Sequence, residues 1–342
     1  MSFVPLAPPL LALPSLHWQT RVWLISLALA TVQTAVSAER EGNLRVTSNL
    51  ASLQRCLDLD LGLGESPVWD DRTNTLFFVD ILAPALYRYH PDSGDVQRWD
   101  MPETIGSFGL CDDGRIVAAL RSGVYLFDLE TEVLELLAQP EPDRPENRLN
   151  DGKIGPDGAF WIGSMNDTAD KTATAALYRV TMDGTVTQIT DGLIISNGLA
   201  WSPDGTTMYH SDSRAAILWA YDFDISTGSA TNRRAIKQFS GESGRPDGGA
   251  VDVEGGYWSA GVFGSRLNRI AANGTLLRRV DLGIPAPTMP CFAGDDLRTL
   301  YLTSLRTEQD GVVVPGGLYR LEGGVGVAGV PVHRFGAKPS SD

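Results

Sequence analysis

The sequence predicts an all-β fold, a six-bladed β-propeller, from three observations. One phrase recurs six times: an apolar residue, a turn usually rich in Asp and Gly, and a short aromatic or β-branched run. A second series of six short alternating segments follows the first, copy by copy. The period of about 40–50 residues, with strand–turn–strand content, is typical of propeller blades. No long amphipathic helical pattern occurs after residue 60, which is consistent with an all-β chain.

The two series predict most strands of each blade. Copies of the first series begin at Trp69, Leu110, Ile154, Trp201, Val251 and Phe292. Copies of the second begin at Leu86, Val124, Leu177, Leu218, Leu267 and Leu318. Alternation of this length predicts a third strand that leads into a hairpin. Two sixfold series in the same order indicate six blades.

Composition divides the chain into three parts. Residues 22–30 form an apolar run behind Arg21, and residues 36–38 are small, as at a secretory cleavage site. The alternative is that the true start lies further downstream. The apolar run is too short and too interrupted by Ser and Thr to predict a membrane span. We expect a signal-like or disordered leader over residues 1–40, the propeller over 41–336 and a polar tail over 337–342. The location is then cytoplasmic, or periplasmic or secreted if residues 1–38 are a signal peptide.

Two further segments have a predicted place in the ring. Residues 56–61 alternate as expected for an N-terminal strand that completes the last blade, which would leave no open sheet edge. The Pro-rich residues 139–145 are expected to form a loop between blades two and three. A linker between two domains is the alternative, although the repeat continues through this segment.

Charge and cysteine content exclude several classes of function. The net charge of −14 argues against a nucleic-acid partner, whose phosphates would be repelled, and is compatible with a cation site. The three cysteines form no Cys-x-x-Cys pair and are expected to be buried thiols. The four histidines show no zinc-ligand spacing, so a zinc site of imidazole and thiolate is not indicated.

One position in every blade is expected to face the central channel. It lies four residues before each copy of the first series, at Glu65, Gly106, Asn150, Asn197, Asp247 and Thr288. Same-phase residues of innermost strands converge at the channel mouth. Four of the six carry a carboxylate or carboxamide oxygen, which suits Ca²⁺, Mg²⁺ or Mn²⁺. The alternative is that the Asn-Gly and Asp-Gly pairs here are ordinary turn dipeptides.

Four segments carry a resemblance to a known family. Glu65-Ser66-Pro67-Val68-Trp69, Arg148-Leu149-Asn150-Asp151-Gly152-Lys153, Ser196-Asn197-Gly198-Leu199-Ala200-Trp201 and Arg245-Pro246-Asp247-Gly248 resemble the SMP-30/gluconolactonase family, which includes regucalcin. The resemblance covers about residues 61–304. It implies a six-bladed propeller with one central divalent metal ion, Ca²⁺, Mg²⁺, Mn²⁺ or Zn²⁺, whose ligands are Glu65, Asn197 and Asp247. It also implies substrate contacts by Arg148 and Asn150. Asp167 is the nearest acid for a further substrate contact, with its register about one residue from the regucalcin pattern.

The same resemblance implies the reaction. It is hydrolysis of a sugar lactone to the aldonic acid, with the metal polarising the carbonyl and Asp247 as general base. A phosphotriesterase similar to the propeller organophosphatases and a non-catalytic calcium-binding propeller are the alternatives. Asp151 is expected to serve its Asp-Gly turn rather than to orient catalytic groups. The expected partner is a small-molecule sugar lactone, with no nucleic acid and no stable membrane association after the leader. The sequence does not determine the oligomeric state.

Overall fold

Six four-stranded antiparallel sheets follow one another along the chain in a computed structural model, which describes residues 52–337. The all-β, six-bladed prediction is confirmed. A two-stranded hairpin is inserted in the last blade. Residues 1–40, and the tail from residue 338, lie outside the described part of the chain, so the predicted domain limits stay predictions. Within residues 52–337, no helix is long and apolar enough to cross a membrane.

The strands of the first three blades follow a single pattern of consecutive antiparallel pairing. The N-terminal strand β1 (Leu53–Arg55) belongs to the last blade. Blade one comprises β2 (Gly64–Asp70), β3 (Thr75–Asp80), β4 (Ala85–Tyr89) and β5 (Val96–Asp100). Blade two comprises β6 (Ile105–Leu110), β7 (Ile116–Leu120), β8 (Gly123–Phe127) and β9 (Leu134–Ala138). Blade three comprises β10 (Asn147–Ile154), β11 (Phe160–Asn166), β12 (Ala175–Val180) and β13 (Val186–Leu193).

The remaining blades repeat the pattern with two additions. Blade four comprises β14 (Ser196–Trp201), β15 (Thr207–Asp212), β16 (Ile217–Asp224) and β17 (Ser229–Gln238). A 3₁₀ turn at Gly241–Ser243 precedes blade five, which comprises β18 (Arg245–Val251), β19 (Tyr257–Val262), β20 (Arg266–Ile270) and β21 (Leu276–Asp281). Blade six comprises β22 (Pro287–Ala293), β23 (Thr299–Ser304) and β26 (Leu318–Leu321), with the hairpin β24 (Thr307–Gln309) and β25 (Val312–Val314) between the last two. The second sequence series was predicted to form the third strand of each blade, and it does so as β4, β8, β12, β16, β20 and β26.

The core is divided among the six interfaces between neighbouring blades. Each interface has its own cluster of buried apolar side chains. The inner strands are therefore buried on both faces, and β2 and β3 are buried at every residue. Outer strands such as β5 are mostly exposed. Between blades three and four, Phe223 packs edge-on against both Trp161 and Trp201, with ring centroids 5.4 and 5.9 Å apart.

The ring closes through an N-terminal strand, but not through the predicted residues. The strand β1 pairs with β26, with Leu53 opposite Leu321. Residues 56–60 form no strand. Leu57, Leu59 and Leu61 instead pack against the cluster between blades six and one. Their alternation reflects one-sided burial, which occurs here without the hydrogen-bond ladder of a strand.

The other sequence predictions for this region are mostly confirmed. Residues 139–145 form the loop between β9 and β10, within one continuous ring, so the linker alternative is wrong. Glu141 anchors this loop because it accepts hydrogen bonds from the hydroxyls of Ser164 (2.8 Å) and Tyr178 (2.9 Å). Cys111 and Cys291 are buried, whereas Cys56 is half-buried.

We expect Phe223→Ala to destabilise the protein by about 3–5 kcal/mol, because it removes an aromatic ring from the centre of one blade interface. Phe263→Ala is the matched control, since the Phe263 side chain is 62% exposed. It should change the free energy of unfolding by less than about 0.5 kcal/mol. Denaturant unfolding of both variants measures the difference. Equal effects would contradict the assignment of the core to the blade interfaces.

Candidate active site

The six in-phase positions coincide with irregularities in the innermost strands. In every blade, the hydrogen-bond register between the first and second strands shifts once, at or beside the predicted channel-facing position. The breaks lie between Glu65 and Val68, Ile105 and Ser107, Leu149 and Gly152, Asn197 and Ala200, Pro246 and Gly249, and Pro287 and Pro290. Bulges re-aim side chains and are common beside active sites. The Asn-Gly and Asp-Gly pairs thus lie inside strands, and the turn alternative is wrong.

Two of these irregularities place a residue in the left-handed backbone region. Ser66 (φ 48°) directly follows Glu65, and Gly198 (φ 67°) directly follows Asn197. The Ser66 N–H donates to Glu65 Oε2 over 2.9 Å. A Cβ at position 198 would clash with the Tyr257 hydroxyl and lie 2.8 Å from the backbone oxygen of Asp247. Only glycine fits there, because both the dihedral and the close approach exclude a side chain.

Two of the six positions serve the ring rather than the channel. The Thr288 hydroxyl donates to the backbone oxygen of Gly64 over 2.6 Å, which ties blade six to blade one. A Cβ at Gly106 would lie 2.5 Å from the backbone oxygen of Leu149. Glycine at this position therefore allows blade three to approach blade two. The carboxylate and carboxamide oxygens come from the other four blades.

Hydrogen bonds orient the two carboxamides. Asn197 Nδ2 donates to Ser213 Oγ (2.7 Å), which in turn donates to the backbone oxygen of Pro246 (2.6 Å). Asn150 Nδ2 lies 3.4 Å from Asn197 Oδ1, and Asn150 Oδ1 accepts from Arg148 Nη1 over 2.7 Å. Arg148 and Asn150, which were both predicted as substrate contacts, are thus joined by a direct hydrogen bond. The only donor to Asn197 Oδ1 among the described residues is therefore the distant Asn150 Nδ2, so this oxygen is available to a cation.

Glu65 is buried and Asp247 is half-buried. Burial, together with the nearby charge of Asp151, raises the pKa of Glu65 from 4.5 to about 8. Burial and the charge of Glu65 raise the pKa of Asp247 well above its ordinary value. Within residues 52–337, no three His, Cys, Asp or Glu side chains form a metal cluster by themselves. A cation held at this position would therefore need the carboxamide oxygen of Asn197 as well as the two carboxylates.

Two charged side chains of β10 in blade three hold the innermost strands of blades four and five. Asp151 Oδ2 accepts the backbone N–H groups of Gly198 (2.6 Å) and Leu199 (3.3 Å) in blade four. Lys153 Nζ donates to the backbone oxygen of Gly249 in blade five over 2.6 Å. The expectation that Asp151 serves its own turn is wrong, because it lies in a strand and fixes the bulge after Asn197. Sequence reasoning missed Lys153, and no local signal distinguishes it, because β10 also carries Arg148, Asn150 and Asp151.

The third predicted substrate contact, Asp167, lies beside Arg148. Arg148 Nε is 3.8 Å from Asp167 Oδ1. Asp167 Oδ2 accepts a hydrogen bond from Arg121 Nη1 over 2.6 Å, and Lys171 Nζ lies 3.7 Å from Oδ1. Arg121 follows the second strand of blade two and Asp167 the second strand of blade three, so both lie at the end where the innermost strands begin. Arg121 was not predicted because only the fold brings it to Asp167.

Two cavities lie on either side of this site. A cavity of about 300 Å³ borders Arg148 and is lined by Arg121, Glu141 and Arg144. A larger one, about 710 Å³, lies at the opposite end of the innermost strands and is lined by Lys153 and residues 330–334. Arg334 holds that C-terminal segment in place through an ion pair with Asp70 over 2.6 Å. The candidate ligands line neither cavity, so the site is located by its side chains rather than by cavity size.

Comparison with known proteins identifies a family for this chain. The model of the SMP-30/Gluconolactonase/LRE-like region matches residues 63–306. A protein of Pseudomonas putida named 6-deoxy-6-sulfogluconolactonase is 40% identical over 245 residues, which are 71% of this chain and 84% of that protein. Regucalcin of Xenopus laevis is 34% identical over 283 residues, 80% of this chain and 94% of that protein. A crystal structure described as a calcium-binding protein, regucalcin, from Agrobacterium tumefaciens has a TM-score of 0.76 and 29% identity, with coverage of 83% of this chain and 98% of that one.

We expect Gly198→Ala to destabilise the protein by at least about 2 kcal/mol, because strain at positive φ adds to a clash with the neighbouring blade. Gly255→Ala is the matched control. Gly255 also has a positive φ, 82°, but nothing lies within 4 Å of an added Cβ. Its cost should therefore be the strain alone, about 1 kcal/mol. Denaturant unfolding measures both, and equal costs would contradict the close approach at the bulge.

We expect the protein without divalent ions to lose stability as the pH rises from about 5 to 8. The folded state raises the pKa of Glu65 from 4.5 to about 8 and so binds a proton more tightly than the unfolded chain over this range. Glu65→Gln should flatten the dependence of Tm on pH by at least about 2–4 °C, the shift that corresponds to about 1 kcal/mol in a domain of this size. The exposed Glu130→Gln is the control and should leave the slope unchanged. An unchanged slope in Glu65→Gln would show that folding does not raise the pKa of this carboxyl group.

Proposed function

Because the chain belongs to the SMP-30/gluconolactonase/LRE-like family, we propose that it is a lactonase that opens a sugar lactone to the aldonic acid with the help of a divalent cation. The relative named 6-deoxy-6-sulfogluconolactonase, at 40% identity, supports the lactonase activity. One observation carries the finer proposal. Oxygens of Glu65, Asn197 and Asp247 are presented by bulges of three blades, next to the Arg148–Asn150 pair.

The donor set fits a hard divalent cation. Two carboxylates and one carboxamide oxygen are ligands that Ca²⁺, Mg²⁺ and Mn²⁺ accept, and Zn²⁺ also binds carboxylate oxygen. Glu65 accepts one hydrogen bond, from its neighbour Ser66, and Asp247 accepts none from the described residues. Carboxylates with so few donors around them have lone pairs available for a cation. A cation bound there would supply Lewis acidity toward the lactone carbonyl and stabilise the developing oxyanion.

The chain's own groups account for the rest of the reaction. In our proposal, Asp247 Oδ accepts a proton from water while the water oxygen forms a bond to the carbonyl carbon of the lactone. The bond between that carbon and the ring oxygen then breaks, and the proton held by Asp247 passes to the ring oxygen as it leaves. The products are the carboxyl and hydroxyl groups of the open-chain aldonic acid. Burial and the charge of Glu65 raise the pKa of Asp247 when no cation is bound, and a bound cation would lower it, which keeps the carboxylate ionised and able to accept the proton.

Arg148 and Asn150 would orient the substrate. Arg148 is held by its bonds to Asn150 Oδ1 and to the backbone oxygen of Leu149 (3.0 Å), and both residues are buried. Preorganised donors of this kind cost little entropy on binding. They would direct the ring hydroxyls of a sugar, as a polyhydroxylated substrate requires. The cross-channel bonds of Asp151 and Lys153 would keep Asn197 and Asp247 in register with this pair.

A hydrolysis assay tests the proposal. The metal-stripped protein is assayed with a pH indicator on glucono-, galactono-, arabinono- and xylonolactones, with Ca²⁺, Mg²⁺, Mn²⁺ or Zn²⁺ restored one at a time, and on one organophosphate. Acid release from a lactone that depends on the added cation is the expected result. Cation-dependent turnover of the organophosphate alone would indicate a phosphotriesterase. Cation binding without any turnover would indicate a non-catalytic propeller.

We expect Asp247→Asn to lower kcat by at least about 10²–10⁴-fold, the range for loss of a general base, with the fold unchanged. Asp295→Asn, in an exposed turn, is the control and should retain full activity. Retained activity in Asp247→Asn would remove this residue from the base role.

We expect Glu65→Gln to weaken cation binding by at least about tenfold in calorimetry, because the charge of the ligand set tunes affinity. Unchanged affinity would contradict its assignment as a ligand.

A further inference from the structure

Two buried carboxylates lie at the end of the ring where the innermost strands begin, and neither has a counter-ion. Asp80 and Asp212 are the last residues of β3 and β15, the second strands of blades one and four, and each is 1% exposed. Within residues 52–337, neither forms an ion pair with a side chain. Burial of a carboxylate is costly unless hydrogen bonds replace the lost water. The donors around these two groups therefore show what each one holds.

In blade one, Asp80 joins the turn that follows it to the segment that enters β2. Its Oδ2 accepts the backbone N–H of Gly62 over 2.8 Å, and its Oδ1 accepts that of Leu63 over 3.0 Å. The same Oδ1 accepts the N–H groups of the second and third residues after Asp80, over 3.0 and 3.2 Å. The proposed ligand Glu65 follows Leu63 by two residues, so Asp80 holds the chain directly before that ligand.

Blade four repeats this arrangement with the same spacing. Asp212 Oδ2 accepts the N–H of Ile194 over 2.7 Å, and its Oδ1 accepts that of Ile195 over 3.4 Å. Its Oδ1 also accepts the N–H groups of the second and third residues after it, over 2.8 and 3.0 Å. In both blades the held segment lies 18 and 17 residues before the aspartate. The proposed ligand Asn197 again follows that segment by two residues.

The arrangement is confined to the blades that supply these two ligands. The second strands of the other four blades end without a carboxylate, at Leu120, Asn166, Val262 and Ser304. Blade five, which carries Asp247, is held in another way. Ser213 Oγ donates to its Pro246 oxygen, and Lys153 Nζ donates to its Gly249 oxygen. A carboxylate at the end of the second strand is therefore not a requirement of every blade.

The preceding blade fixes each held segment from the other side. The backbone oxygen of Gly62 accepts the N–H of Arg306 in blade six over 3.0 Å, and that of Ile194 accepts the N–H of Asn166 in blade three over 3.1 Å. The position of each segment is thus set by bonds to two blades. In blade four, the turn that Asp212 holds also contains Ser213, whose Oγ accepts a hydrogen bond from the Asn197 carboxamide over 2.7 Å.

We propose that Asp80 and Asp212 are positioning residues of the cation site, which fix Glu65 and Asn197 where their oxygens reach one cation together. This inference rests on the proposed cation-dependent function and gives a role to two residues outside the ligand set. Both carboxylates act through backbone N–H groups and contact neither cation nor substrate. Groups that orient metal ligands in this way raise metal affinity, because the ligands need no rearrangement when the metal binds.

Cation affinities of isosteric variants test the proposal. We expect Asp80→Asn and Asp212→Asn each to weaken binding of Ca²⁺, Mg²⁺, Mn²⁺ or Zn²⁺ to the metal-stripped protein by about 10–100-fold in calorimetry. The physical reason is that the amide nitrogen of Asn cannot accept the N–H group that one carboxylate oxygen holds. Affinities equal to those of the wild-type protein would overturn the inference.

Asp252→Asn is the matched control for these variants. Asp252 is also buried and accepts two backbone N–H groups over 3.0 and 2.9 Å, but it lies in the turn at the opposite end of the blade that carries Asp247. It also pairs with Arg269. Its replacement should therefore cost stability and leave cation affinity unchanged. An equal loss of affinity in Asp252→Asn would show that general destabilisation, and not positioning, weakens the site.

Kinetics separate positioning from a loss of catalytic groups. In the lactone assay, Asp212→Asn should raise the cation concentration for half-maximal activity by about tenfold or more. At saturating cation its kcat should stay within about threefold of the wild-type value, since Asp247 is held by other contacts. A fall in kcat with an unchanged cation requirement would overturn the positioning role.

Amide hydrogen exchange of the wild-type protein supplies a readout that needs neither a variant nor turnover. If the bonds of the two aspartates favour cation binding, a bound cation stabilises those bonds by the same factor. Saturation with a diamagnetic cation, Ca²⁺, Mg²⁺ or Zn²⁺, should therefore slow exchange by about tenfold or more at the held N–H groups, relative to those that Asp252 holds. The held groups are those of Gly62, Leu63, Ile194 and Ile195. Equal changes at both sets would overturn the inference.

Failure of this inference and failure of the proposed function give different results. Cation binding that is unaffected in both aspartate variants would overturn the inference alone. Cation binding without turnover would overturn the lactonase proposal, and calorimetry and exchange would still decide the positioning role. A wild-type protein that binds none of the four cations would overturn the proposed cation site and this inference with it.

Discussion

The pairing of two carboxyl groups in one channel, the buried Glu65 and the half-buried Asp247, imposes the constraint on which the rest of this structure depends. They come from blades one and five, and burial together with the charge of Glu65 raises the pKa of Asp247. Ionised together they would repel each other, so without a cation the folded state favours their protonated forms, and the ring must hold them in place whichever form they take. The six apolar clusters between blades provide that stability, because each joins two neighbouring blades and the ring has no free edge. A divalent cation would convert the repulsion into attraction, which links metal binding to stability in our proposal.

Contacts across the channel set the precision of the site. Asp151 and Lys153 leave one strand of blade three and hold the bulges of blades four and five by their backbone atoms. Thr288 does the same between blades six and one. Contacts of this kind bind the backbone and so fix the position of the neighbouring side chains, whose own oxygens make no part of the contact. The strands that carry the proposed ligand oxygens are therefore held by side chains of other blades.

The two ends of the innermost strands have different characters. At one end, the basic cluster around Asp167 adjoins the Arg148–Asn150 pair and the proposed ligands. At the other end, the larger cavity is bordered by the C-terminal segment that Arg334 anchors to blade one. The proposed ligands Glu65, Asn197 and Asp247 thus lie nearer the end at which the innermost strands begin.

The number of blades, the identity of most strands and the phase of the channel-facing residues were determined by the sequence alone. These features depend on local periodicity, since a strand alternates every two residues and each blade repeats the same turn. The closing strand, the role of Asp151, the clamp by Lys153 and the partnership of Arg121 with Asp167 were decided only by the tertiary structure. Asp151 meets a residue 47 positions away, and Lys153 one 96 positions away. A repeat predicts which residues face the channel, but contacts between blades depend on bulges and side-chain reach, and no local pattern encodes those.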